Sequence, residues 1–104
     1  MPPPPPLTPA VFHILLALAD RPLHGYAIMQ AVEDSAGSAM GPGTIYGTLE
    51  RLESAGLVRE VGGTERRRVF ALLPAGRKAL QAEAQRLARL ATLVRAKRLV
   101  PRET

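Results

Sequence analysis

A mainly helical α+β fold, one small domain closed by a long terminal helix, is the class this sequence predicts. Three observations carry it. Apolar residues recur at helical spacing in three successive segments up to Gly56; the period then drops to two across residues 57–61 and 67–73; and residues 75–99 are rich in alanine, leucine, arginine and glutamine, with Gly76 their single glycine. A length of 104 residues, 46% apolar and 22% charged, fits one domain and excludes a multidomain enzyme with a deep substrate cavity. No repeat recurs at any period between about 20 and 50 residues.

The elements follow in order. Residues 1–6 read MPPPPP, a run without backbone donors that is expected to form a disordered lead-in. Thr8 is placed to cap a first helix and Pro9 to open it, because the missing N–H of proline is not needed there. The run to Ala19 is apolar almost all round (Val11, Phe12, Ile14, Leu15, Leu16, Leu18), so this helix is buried on more than one side. Asp20-Arg21-Pro22 ends it in a tight turn. Across residues 24–35, Ala27, Ile28, Ala31 and Val32 recur at spacings of three and four, which predicts a second, amphipathic helix. SAGSAMGPG at 35–43 reads as a loop, with Gly41 as cap and Pro42 as first residue of a third helix. That helix stops at Ala55-Gly56 and turns Ile45, Leu49 and Leu52 to the core. The two period-two runs are joined by Gly62-Gly63-Thr64-Glu65, read as the turn of a hairpin. The fourth helix runs from Ala75 to about Leu99, where Pro101 stops it and leaves 101–104 as a tail.

Composition removes several function classes. The absence of cysteine excludes disulfides, thiolate metal sites and thiol nucleophiles, and fits the cytoplasm. No run approaches the ~18 apolar residues of a membrane span, and no basic n-region with an apolar h-region opens the chain, so no membrane partner is expected. His13 and His24 have no carboxylate or second histidine at metal-ligand spacing, and no glycine-rich phosphate loop or serine elbow occurs. Glu50 and Glu53 read as solvated helix residues. Catalytic residues, cofactors and metals are expected to be none, and the chain does not read as an enzyme.

Charge is divided along the chain. Residues 1–58 hold two basic and five acidic side chains; residues 59–104 hold twelve basic and four acidic ones. Such a split fits either a polyanion partner for the second half or a solvated basic face.

Three short helices followed by a hairpin form the winged variant of the helix-turn-helix, in which one helix enters the major groove of double-stranded DNA and the hairpin tip reaches phosphates. On the third helix, Thr44, Gly47, Thr48 and Arg51 stand beside the core stripe at offsets of three, four and seven. Arginine can donate twice to guanine, threonine offers a hydroxyl and a methyl, and Tyr46 can donate to phosphate. A glycine inside a helix costs roughly 1 kcal/mol relative to alanine, so Gly47 signals either close approach to a DNA strand or close packing against the second helix. Arg66, Arg67 and Arg68 load the hairpin, with alternation sending Arg67 to one face and its neighbours to the other. They read as phosphate contacts or as a charged edge that blocks strand pairing.

The fourth helix carries Leu80, Ala84, Leu87, Ala91 and Val94 on one stripe, with Leu90 beside it. About 25 helical residues span roughly 37 Å, more than the preceding domain covers. The stripe therefore predicts a homodimer through this helix and the apolar first helix, Phe12 and Leu16 included, or else folds back on its own domain.

PLHGYAI at 22–28, PGTIYGTLERLESAGLV at 42–58 and RRRVFALLPAGRKAL at 66–80 resemble the PadR family of transcriptional regulators, over about residues 7–99. The specific parts are LHGY, PGTIY and the frame of Leu49, Leu52, Gly56 and Leu57. The resemblance implies a winged helix-turn-helix domain over residues 7–73 and a dimerisation helix over 74–100, similar to the shorter subgroup with a single terminal helix. It implies a repressor, with Thr44 to Arg51 as recognition helix, Arg66 to Arg68 as wing, and His24 to Tyr26 as the start of the preceding helix. There Tyr26 meets phosphate or braces the fold. It also implies a small-molecule effector. Gly47, Phe70 and Pro74 stand where the family usually has proline, tyrosine and threonine, and no tryptophan is present to line a drug site. A dimeric repressor on a pseudo-palindromic operator is the expected function; the alternative is a winged-helix module whose basic half binds an acidic protein.

Overall fold

A computed structural model describes residues 7–101; the expected disordered lead-in at 1–6 and the last three residues of the expected tail lie outside the described residues. Helices α1 (Pro9–Ala17), α2 (Gly25–Ala36) and α3 (Pro42–Ser54) precede the strands β2 (Val58–Gly63) and β3 (Arg68–Leu72) and the long helix α4 (Pro74–Ala96), with a two-residue strand β1 (Leu23–His24) ahead of α2. The result is a mainly α, α+β winged helix-turn-helix.

Local chemistry explains most boundaries. Thr8 accepts from the Val11 amide and caps α1. The α-helical part of α1 ends at Ala17, two residues short of Ala19, because the Leu18 and Ala19 amides bond carbonyls three residues back and tighten the last turn. Helix α3 ends at Ser54 with Ala55 as its C-cap, and Gly56 beyond it takes a φ of +78° that lets the Leu57 amide reach the Leu52 carbonyl. Helix α4 begins at Pro74 and leaves helical geometry before Pro101: Arg98 takes φ +59°, and the Leu99 amide bonds the Val94 carbonyl.

The sheet is antiparallel in the order β1-β3-β2, with Leu23 opposite Phe70 and Val58 opposite Leu72. Its hairpin corrects the sequence reading. The turn is Thr64 to Arg67, whose backbone groups bond each other in both directions at 3.1 Å, and not Gly62 to Glu65. The glycines serve the strand instead. A register shift between Glu60 and Gly62 marks a bulge, and a Cβ on Gly63, at φ +92°, would overlap the Arg67 carbonyl oxygen. Arg66 and Arg67 therefore lie in the turn, where strand alternation does not govern them.

One core joins all layers. Ile14 and Leu15 of α1, Ile28 of α2, Ile45 and Leu49 of α3, and Phe70 of β3 are fully buried. Leu80 of α4 joins them at 5% exposure, so it is spent inside its own chain and leaves the predicted dimerisation stripe. Glu83, one turn further, is buried as an ion pair with Arg86 and accepts the Leu7 amide at 3.3 Å.

Candidate nucleic-acid interface

Gly41 caps α3 without a side-chain hydrogen bond, and Pro42 opens it. The core stripe of Ile45, Leu49 and Leu52 then fixes how the helix is rotated, as its spacing predicts. Thr44 and Arg51 emerge exposed, and Gly47 lies half-exposed between them on the same face. A Cβ on Gly47 would meet no atom within 4 Å, which removes packing against α2 as the reason for this glycine.

Thr48 departs from the predicted reading face. It is 3% exposed, and its hydroxyl donates to the Thr44 carbonyl at 2.7 Å and accepts from the Arg51 guanidinium at 3.2 Å. Its side chain is turned to the interior, so it does not offer its hydroxyl or methyl to a groove.

The wing arginines also divide. Arg68 donates through Nε and Nη2 to Glu60 at 3.1 and 3.0 Å, and lies 5.7 Å from the Tyr46 ring centre and 5.2 Å from that of Phe70. The Glu60 hydrogen bond raises the Arg68 pKa above its already high ordinary value. Arg68 thus braces the wing against α3, while Arg66 and Arg67 are exposed at the turn.

These two arginines line a cleft of about 250 Å³ with His24, Gly25, Tyr26 and Tyr46. Tyr46 is half-buried, tilted on Phe70 at 6.3 Å, and its hydroxyl lies so close to Gly25 that a Cβ there would overlap it. Gly25 thereby brings α2 against the recognition-type helix. Tyr26 is 64% exposed, accepts from Gln30 and stacks on His24. His24 caps α2 by accepting from the Ala27 amide through Nδ1, which in the neutral ring leaves the proton on Nε2. Two tyrosines, a histidine donor and two arginines on one rim form a donor-rich surface suited to phosphodiester oxygens.

Of the predicted residues, Tyr26, Tyr46, Arg66 and Arg67 share this cleft, and Thr44, Gly47 and Arg51 share the α3 face, while Thr48 is buried against Thr44 and Arg51, and Arg68 is bound to Glu60. His24, predicted only as the start of the second helix, and Glu60 join these residues from outside the predicted interface set. A polar residue directly before Gly25 at a helix start could have marked His24; nothing short of strand register could have paired Glu60 with Arg68. On α4, Ala84, Leu87 and Leu90 are exposed, Leu90 at 43%, and Leu16 is exposed on α1; Phe12, Ala91 and Val94 are half-buried. Leu93, 51% exposed, is a further apolar side chain absent from the predicted stripe. Among the described residues no group of three His, Cys, Asp or Glu could hold a metal, and no helix is long and apolar enough to cross a membrane.

Three helices, a short strand and a basic hairpin beside an open α3 face define a winged-helix regulator. Comparison with known proteins narrows the class. Residues 14–82 match the model of the transcriptional regulator PadR-like family. The chain is 42% identical over 83 residues to the transcriptional regulator Rv3488 of Mycobacterium tuberculosis, covering 76% of each. It is 53% identical over 77 residues to an uncharacterized 37.1 kDa protein in transposon TN4556 of Streptomyces fradiae, covering 74% of this chain and only 22% of that protein. A PadR family transcription regulator from Clostridium difficile R20291 superposes with a TM-score of 0.72 at 21% identity, over 86% of this chain and 97% of that one, a likeness of fold. The chain belongs to the PadR-like family of transcriptional regulators.

Proposed function

We propose that the protein is a dimeric repressor that binds a pseudo-palindromic operator in double-stranded DNA in the cytoplasm, with residues 7–73 reading the duplex and α4, within residues 74–100, pairing two copies. The observation that carries this reading is the open α3 face of Thr44, Gly47 and Arg51, flanked by the cleft that holds Arg66 and Arg67. Arg51 supplies the base contact, the bare backbone at Gly47 lets the helix sit close to a strand, and Tyr26, Tyr46, Arg66 and Arg67 take phosphates.

Exposed Leu16, Leu87, Leu90 and Leu93 supply the pairing surface, joined by half-buried Phe12, Ala91 and Val94 and by exposed Ala84. Two-fold pairing presents two reading helices to half-sites about one helical turn apart. Release by a small-molecule effector completes the proposal and rests on the family resemblance.

The test is a mobility-shift titration with the duplex upstream of the protein's own gene, at two salt concentrations. A shift that weakens steeply with salt supports the proposal; no shift at low salt from a folded dimer overturns it in favour of a protein-binding role for the basic half.

A further inference from the structure

We propose that Thr48 is a positioning residue for Arg51: its hydroxyl, enclosed in the third helix, holds the guanidinium in the orientation in which it meets a base edge. The inference rests on the reading of α3 as the recognition helix.

Burial removes Thr48 from the groove and gives its hydroxyl another task. A hydroxyl has one proton and two lone pairs. A carbonyl can only accept and a guanidinium can only donate, so the direction of both bonds is fixed. The Thr48 proton goes to the Thr44 carbonyl at 2.7 Å, which locks the hydroxyl rotor and turns a lone pair to Arg51 Nη2 at 3.2 Å. The β-branch of threonine adds stiffness at χ1.

Two features make this arrangement suited to base reading. The bond takes one of five guanidinium hydrogens and leaves enough for two parallel bonds to guanine O6 and N7. Thr48 is also a neutral acceptor, and among the described residues no carboxylate forms a salt bridge with Arg51. The arginine is thus oriented without losing its charge to a partner. Arg68 shows the contrasting arrangement, in which Glu60 takes two of its donors and neutralises it.

Orientation before binding reduces the side-chain freedom lost on the DNA, and loss of such ordering is expected to cost about three- to tenfold in discrimination. The experiment uses the full chain and a duplex selected by it from a random-sequence pool, together with every single-base-pair variant of that duplex. Thr48→Val keeps the shape and removes the hydroxyl; Thr48→Ser keeps the hydroxyl. Thr48→Val is expected to lose that discrimination at the same base pair of each half-site that Arg51→Ala relaxes, with an unchanged salt slope. Thr48→Ser is expected to retain it, and Thr48→Val is expected to add nothing in an Arg51→Ala background. Thr48→Ala serves the same comparison should valine disturb folding, checked by thermal melting. Full discrimination by both hydroxyl-free variants, where Arg51→Ala relaxes it, overturns the positioning role alone. An Arg51→Ala protein that discriminates like the wild type overturns the reading of α3, and the role of Thr48 with it.

Discussion

The backbone amide of Leu7 donates to the buried carboxylate of Glu83 at 3.3 Å, joining the start of the described chain to the middle of the last helix. Arg86 donates to the same carboxylate through Nε and Nη2. The Arg86 hydrogen bond lowers the Glu83 pKa below its ordinary value, desolvation opposes it, and the Leu7 amide adds to the lowering. A carboxylate depressed in the folded state contributes stability above its unfolded pKa and loses it as pH falls through the folded value. Urea midpoints measured between about pH 6 and pH 2 should therefore fall more steeply for the wild type than for Glu83→Gln. Parallel curves would show that the pair does not contribute to acid sensitivity.

Arg68 and Arg67, adjacent in sequence, should fail differently. Arg68→Ala removes an ion pair with Glu60 and two aromatic contacts at partly exposed positions, so a loss of about 1 kcal/mol in stability is expected, visible in thermal melting. Arg67→Ala should leave the melting temperature unchanged, weaken binding to all duplexes alike and reduce the salt slope by about one.

Two glycines in helices should respond with opposite signs. Gly47→Ala adds a methyl in open space and should stabilise the fold by up to about 1 kcal/mol, while weakening DNA binding if the backbone sits against a strand. Gly76→Ala should destabilise, because its Cβ would overlap the Leu57 carbonyl oxygen. Denaturant midpoints check both signs, and a mobility shift checks the binding half of the Gly47 prediction.

Leu87→Glu places a charge among the exposed leucines of α4 and, if these pair two copies as proposed, should leave a monomer where the wild type has the mass of a dimer, measured by light scattering. An unchanged mass would assign pairing to another surface.

The legible parts of the chain were those written in local chemistry. Thr8-Pro9 and Gly41-Pro42 mark helix starts, and Gly56 marks a stop, because caps act within one turn. Strand β1 was not legible: two residues, Leu23 and His24, are too short for a period of two, and only pairing with β3 makes them a strand. Gly62-Gly63 has the composition of a turn yet serves a bulge, since the register of β2 on β3 is set by Phe70 and Leu72 meeting the core. Thr48 lies on the helix between the core stripe and the open face, and spacing alone does not say on which side of that border it falls. Leu80 shares its stripe with Leu87 but stands where α4 still crosses the domain, a tertiary fact absent from the pattern.

The central claim, that the α3 face reads a duplex through Arg51, is tested most directly by titrating wild type and Arg51→Ala against the duplex upstream of the gene and a scrambled duplex of equal length. The account predicts that Arg51→Ala loses about 1–3 kcal/mol on the former and much less on the latter. Equal affinities of the two proteins for both duplexes would contradict it.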